Sequence, residues 1–393
     1  MRLTLNYRTR IIASLSEVGE PAWSALLALQ PDSNPFLSYA FLHALHESGS
    51  ASRKSGWQPN YLTLWQDDTL AAAMPLYLKS HSYGEYVFDW AWADAYRRHG
   101  LDYYPKLLSA IPFTPVTGSR LLARDEPARA ALAKALVVLQ READVSSTHV
   151  LYPPPEQAEL LERAGFLLRN GVQFHWLNAG YRDFDQFLST LEQKKRKNIR
   201  AERRKVRDAG ITFVRLEGTQ IAGTDWRFFK RCYDQTYSAH YSTPYLNLDF
   251  FMRIGATMPQ NILMVIAMRD GRPIAASLLI HDNHALYGRY WGAVEHHDCL
   301  HFETAYYQPL EFCIERGIGA FEGGAQGEHK MARGFLPQKT WSAHWLAHPA
   351  FGDAVERFLE QETGGIEAYI DELNERNPFR NAKEDQGISP DRS

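Results

Sequence analysis

The chain has 393 residues, 45% of them hydrophobic and 23% charged, with a formal net charge of −3. That length exceeds one ordinary core and favours two domains, and the near-balanced charge excludes a general polyanion binder, so any basic function is local. Cys232, Cys299 and Cys313 show no paired spacing, the N-terminus lacks a leader-like apolar run, and no window holds eighteen apolar residues; the expectation is a cytoplasmic protein with free thiols and no transmembrane segment.

In chain order, the pattern predicts a strand near 10–15 and helices near 22–28 and 39–48. A hairpin follows, with strand-like runs over 61–65 and 70–79 around Asp67-Asp68. A strand near 86–88, helices over 103–110 and 127–142, the Pro153-Pro154-Pro155 turn and a short helix complete the first half. The boundary falls between Gly165 and Tyr181, giving domains over 1–170 and 171–376. The second half begins with one long helix over 184–209, then helices over 226–239 and 248–258. Next come a second hairpin around Asp270-Gly271 with arms 262–268 and 272–281, a helix from Phe302, and a short strand ending at Glu322. A strand over 341–346 and a helix over 351–374 close the fold. The tail, 377–393, is polar without an apolar stripe and is expected to be disordered.

Aligned against itself at a shift of 203 residues, the chain repeats. Both hairpins coincide, Ala72-Ala73 matches Ala275-Ala276, and Tyr103-Tyr104 matches Tyr306-Tyr307. Strand, turn, strand, strand, helix, strand in both copies predicts two related α/β domains with mixed sheets.

Four segments carry chemistry. The glycine pair Gly323-Gly324 after Glu322 permits a sharp bend, and behind it stand Gln326, Lys330 and Arg333, as at the carboxyl end of a site-lining strand. Between Lys194 and Arg207 nine of fourteen residues are Lys or Arg. At helical spacing they form a stripe that either cradles phosphates or pairs with acids elsewhere; Asn198 within it favours a site. The run Glu295–Glu303 collects zinc-ligand types, but no second ligand pair accompanies it, so a general acid/base role is preferred to metal. The segment from Phe88 through Asp89, Trp92, Asp94 and Arg97 to Tyr103, Tyr104 and Lys106 offers a slot for an apolar body with a charged head, or else a half-buried strand. No Walker loop or dinucleotide fingerprint is present.

Lys194-Lys195-Arg196-Lys197-Asn198-Ile199-Arg200 with Glu202 and Arg203 is similar to the basic helix opening the second domain of FemAB-like transferases, a tandem-domain group within the GNAT superfamily of N-acyltransferases. Phe302 to Gly324 resembles that group's helix, strand and glycine pair, and Lys330–Phe335 its basic Gly-Phe segment. GEYVFDWAWADAY, YYPKLL, LYGRYWG, LHFETAYYQ and GAQGEHKMARGFLP resemble a bacterial, peptidoglycan-biosynthesis-like family of predicted N-acyltransferases over nearly the whole chain. The resemblance implies two tandem GNAT-like domains, the main active site in the second. One departure matters: the Gly-rich pyrophosphate loop of acetyl-CoA-dependent members is missing between Val294 and Phe302. Peptidoglycan-bridge FemAB enzymes share that lack and use aminoacyl-tRNA.

The resemblance implies direct attack of a neutral amine on an activated acyl carbonyl, which needs a base, oxyanion donors and an acid for the leaving group. Glu303 or His301 is the expected base, with Glu322, Lys330 and Arg333 completing the catalytic set. Lys197, Asn198, Arg200, Arg289, Trp291, Gly323, Gly324 and Gln326 are expected at the donor. Asp89, Trp92, Asp94, Arg97, Tyr103, Tyr104, Lys106, Tyr290 and Tyr306 are expected at the acceptor. The leading function is N-acyl transfer from acyl-CoA or an acyl carrier, as co-substrate, to a small or lipid-like amine. Alternatives are aminoacyl-tRNA-dependent transfer to a peptidoglycan precursor or protein N-terminus, and a non-catalytic binding protein on the same fold.

Overall fold

The structure is a computed structural model and describes residues 7–324 and 327–380. Two mixed-sequence halves share one large sheet. Its eleven strands run, edge to edge, Ile211–Glu217, Ile262–Arg269, Arg272–His281, Ala285–Ala293, Ala320–Glu322, Leu167–Leu177, Leu336–Leu346, Ser147–Leu151, Lys106–Ser109, Tyr77–Lys79 and Trp57–Pro59. A second, antiparallel sheet of four strands holds Arg8–Ile12, Tyr61–Gln66, Thr69–Met74 and Leu122–Ala123. No helix among the described residues is long and apolar enough to cross a membrane.

The internal repeat survives in detail. Each hairpin turns on an aspartate with left-handed backbone, Asp67 at φ 53° and Asp270 at φ 49°. Each carries a bulge just before the turn, at Leu64/Trp65 and at Ala267/Met268, again 203 residues apart. The copies then diverge at Pro75. Proline has no N–H for the ladder, so the outgoing arm breaks into Thr69–Met74 in the small sheet and Tyr77–Lys79 in the large one; the second copy has Leu278 there and runs unbroken from Arg272 to His281.

Several local expectations change. Lys106–Ser109 is a strand rather than part of a helix, so Tyr103-Tyr104 precede a strand while Tyr306-Tyr307 lie in a helix; sheet pairing on both sides overrides local preference there. Trp90–Arg98 is a helix, and 86–88 is irregular. The long basic helix is two, Phe184–Thr190 and Gln193–Asp208. At the break, the N–H of Glu192 donates to the Pro378 carbonyl and that of Arg380 to Thr190. The rest of the tail, 381–393, lies outside the described residues.

The strand Leu167–Leu177 runs through the position dividing 1–170 from 171–376. It pairs with Ala320–Glu322 on one side and with Leu336–Leu346 on the other. The apolar core joins the halves as well: Phe36 and Phe41 of the first half meet Tyr287 and Phe250 of the second edge-to-face, with centroids 5.2 and 5.4 Å apart. Along the second hairpin side chains alternate: Met264, Ile266 and Leu278 enter this shared core, while Leu263, Val265 and Leu279 enter a second one with Leu310 and Phe321.

Candidate active site

The strands Ala285–Ala293 and Ala320–Glu322 are parallel neighbours for only three residue pairs, ending at Tyr287 and Glu322. On the other side of the longer strand a bulge makes Arg289 the extra residue, since Leu279 pairs with Gly288 and Leu278 with Tyr290. A bulge increases local twist and re-aims the strand, and Gly323-Gly324 bend the partner away, with Gly324 at φ 86°. The two strands part, and a cavity of about 180 Å³ opens between them. Gly288, Arg289, Tyr290 and Trp291 form one lip and Gly323 and Gly324 the other. Tyr86 and Pro115 from the first half close one face of the sheet, and His301, Ala305 and Tyr306 the other. The Arg289 guanidinium is fixed by an Nη2 bond of 2.6 Å to the Phe113 carbonyl, while its buried Nε has no partner.

Just before the glycine lip, Glu322 sits in register with His175. Burial pushes the Glu322 carboxyl up to about 8, its Oε2 accepts no hydrogen bond, and 16% of the side chain remains exposed. His175 Nε2 lies 3.9 Å away; burial, then Lys330, lower its pKa to about 4, so it is neutral. The Lys330 stem would crowd a Cβ at Gly323, at 3.2 Å, and its Nζ donates to the Gly324 carbonyl at 2.8 Å. Lys330 forms no ion pair among the described residues, is 2% exposed, and burial brings its pKa down to about 8. A carboxylate and an ammonium that both titrate near neutrality can move protons.

Other expected catalytic residues are held differently. Both oxygens of Glu303 accept from Arg203, at 2.9 to 3.2 Å, and Oε1 also accepts from Gln308 at 2.9 Å. Glu303 faces away from the cleft, into a groove of about 580 Å³ that it shares with Arg200, Arg203, Arg204 and Arg207. Arg333 is saturated: it lies over the Phe302 ring at 3.5 Å, donates twice to Glu202 and bonds the Tyr307 hydroxyl at 3.0 Å. His301 faces the cleft, and burial, then His329 and Arg333, lower its pKa to about 4. Gln326 lies outside the described residues.

The basic helix divides between the two fates its sequence allowed. Arg203 turns inward to Glu303 and Glu311, and Arg200 pairs with Asp185 at 3.1 Å. Lys197 and Asn198 are exposed on its outer face, and Lys197, Arg204 and Arg207 form no ion pair among the described residues.

The first-half acceptor set is brought together, but as a sealed network that protein side chains fill. Lys106 Nζ donates to Ser82 at 2.7 Å, to Glu85 at 2.8 Å and to Asp89; Tyr103 OH donates to Asp89 at 2.6 Å. Tyr103 also meets His149 Nε2 at 3.0 Å, and Trp92 packs on His149 and His344. Tyr104 bonds Ser82, whereas Asp94 and Arg97 pair on the exposed side of their helix. No open slot exists there, because Asp89, Lys106 and Tyr103 are all buried.

The sequence reading missed His175, His149 and His344, and gave Glu202 no role beyond its place in the basic-helix motif. Their roles come from cross-strand or interhelix partners more than 100 residues away, so no local spacing marks them.

A parallel strand pair parted by a bulge, with titratable groups close to the bend, marks the candidate site of this mixed α/β fold. The chain belongs to the FemAB-like family of peptidoglycan biosynthesis/recognition, whose model matches residues 14–381. Among solved structures it is similar to FemX, at 10% identity and TM-score 0.55 over 89% of this chain and 100% of that one. It is also similar to the L-PGS of Bacillus licheniformis, at 11% identity and TM-score 0.54 over 87% and 97%. The C-terminal domain of a putative lysylphosphatidylglycerol synthetase from Agrobacterium fabrum gives 13% and 0.52 over 88% and 97%. At such identity these likenesses establish a shared fold. No curated protein matches the sequence significantly.

Proposed function

We propose that this protein is an N-acyltransferase that passes an acyl group from an activated donor to the amine of an amphiphilic acceptor, in the cleft between Gly288–Trp291 and Gly323-Gly324. The observation that carries this reading is Glu322, a carboxylate with an unpartnered oxygen on the residue before the Gly323-Gly324 bend, with the Lys330 ammonium, free of ion pairs among the described residues, held against that bend. The amine nitrogen forms a bond to the acyl carbon, and its proton goes to Glu322. The strand edge beyond Tyr287, which has no ladder partner on that side, offers backbone N–H groups to the oxyanion. Collapse breaks the bond from acyl carbon to donor oxygen or sulfur, and the Lys330 proton passes to that leaving atom.

For the donor, two features favour an aminoacyl-tRNA over acyl-CoA. The loop ahead of the helix at Leu300, beside a basin of about 750 Å³, has no glycine between Val294 and Phe302 and carries Asp298 and an Arg269-paired Glu295 where a pyrophosphate cradle would need backbone N–H groups. The unpaired cations of Gln193–Asp208 supply a polyanion surface instead. The decisive assay presents purified protein with radiolabelled aminoacyl-tRNA or acyl-CoA and an amine panel. Transfer from neither donor, with ligand binding intact, rejects catalysis. Transfer from acyl-CoA with no RNA binding at low salt rejects the tRNA donor.

A further inference from the structure

The segment 82–90 inverts the usual order of a surface loop. Its acids point inward: Glu85 is 5% and Asp89 3% exposed, both bonded to Lys106. Its aromatics point outward: Tyr83 is 58%, Phe88 48% and Trp90 42% exposed. Burying charges while exposing rings is costly unless the rings meet an apolar partner. The loop is also held stiffly. The Tyr83 carbonyl accepts from Lys79 Nζ and from Trp57 Nε1, each at 3.2 Å, and Lys79 itself sits 3.7 Å over the Trp57 ring. Gly84, at φ +80°, packs on Phe113, whose ring stacks on Tyr245 of the loop that carries the fully exposed Tyr241.

Cations border the rings. The His81 ring meets Tyr83 edge-on, at 5.2 Å, and lies against the turn at Gly56, so the exposed Arg53 and Lys54 lie next along the same surface. Neither forms an ion pair among the described residues. Phe88 also lines a cavity of about 370 Å³ with Tyr86, Tyr152 and Trp341, and Tyr86 is shared with the acyl-transfer cleft. Rigid amphipathic rings flanked by free cations match the headgroup zone of an anionic bilayer.

We propose that the 83–90 loop docks this protein peripherally on anionic phospholipid, with the Phe88–Tyr86 cavity opening toward the membrane surface. The inference goes beyond the transfer reading and does not depend on it, because vesicle binding needs neither donor nor amine. The test is co-sedimentation of the full chain with phosphatidylcholine vesicles, with and without phosphatidylglycerol. Wild type is expected to pellet with the anionic vesicles. The triple variant Tyr83→Ser, Phe88→Ser, Trp90→Ser should bind at least about tenfold more weakly, and Arg53→Gln with Lys54→Gln about fivefold more weakly per cation, the loss shrinking in salt. Phe358→Ser, an exposed ring on the C-terminal helix, should bind as wild type. Wild type left in the supernatant with every vesicle overturns the proposal, and so does a triple variant with unchanged circular dichroism that binds like wild type. Self-association lost in the triple variant, without vesicle binding, also overturns it and assigns the surface to a second copy of the chain.

Discussion

His149 and His344 face each other across the antiparallel strands Ser147–Leu151 and Leu336–Leu346, with their Nδ1 atoms 2.8 Å apart. Their protons follow from the neighbours. Tyr103 gives its hydroxyl proton to Asp89, so His149 Nε2 must donate to the Tyr103 and Ser147 oxygens, and His149 Nδ1 accepts. His344 therefore carries hydrogen on Nδ1 and accepts from Ser342 at Nε2. Both rings are neutral and seal the junction of the halves.

This pair predicts acid lability. Burial, then Lys106, lowers the His149 pKa to about 3, and burial with His149 and Arg169 lowers that of His344. The unfolded chain binds these protons first, at about 6.5. Stability is therefore complete above about pH 6.5 and is lost as pH falls toward 3, at up to about 1.4 kcal/mol per pH unit for each histidine. Urea unfolding at pH 7 and pH 5 should show the loss, and His344→Gln should shallow the slope by up to about 1.4 kcal/mol per pH unit, the share of one histidine among the several whose pKa burial lowers.

Glu322 and Glu303 should separate function from structure. Glu322→Gln is expected to lower kcat roughly 10²- to 10⁴-fold with little change in melting temperature. Glu303→Ala should instead cost roughly 2 kcal/mol of stability, less than a fully buried pair because Arg203 keeps 26% of its side chain exposed. Activity and thermal melts measured on both variants check the assignment.

A narrow pH optimum is expected. Glu322 must be ionised to take a proton, so kcat/KM rises through about pH 8; Lys330 must be protonated to give one, so the rate falls above about 8. Glu322→Gln should flatten the rising limb. Lys330→Arg should carry the falling limb to higher pH, since a guanidinium stays protonated.

Two glycines should behave oppositely. A Cβ at Gly292 would overlap the Cys232 carbonyl of the helix packed against it, so Gly292→Ala should destabilise by at least about 1–3 kcal/mol. Gly364, within the helix Pro349–Glu375, has nothing within 4 Å, and Gly364→Ala should stabilise by about 0.4–1 kcal/mol. Denaturant midpoints of the two variants test this.

Asp67 and Asp270, the alternating hairpin arms and the glycine pair after Glu322 were legible in the chain because turns and period-two strands are written in neighbouring residues. The sequence therefore marked two related α/β units and a candidate site at the second one's bend. It could not determine which acid is the base. The chain order favoured Glu303 over Glu322, and only packing brings Arg203 across 100 residues onto the first while leaving an oxygen of the second unpaired. The same holds for Asp89, Tyr103 and Lys106, which by composition suit a ligand slot. Tertiary burial turned them inward against His149 and left Tyr83, Phe88 and Trp90 outside, because desolvated charges had to find partners and those rings did not.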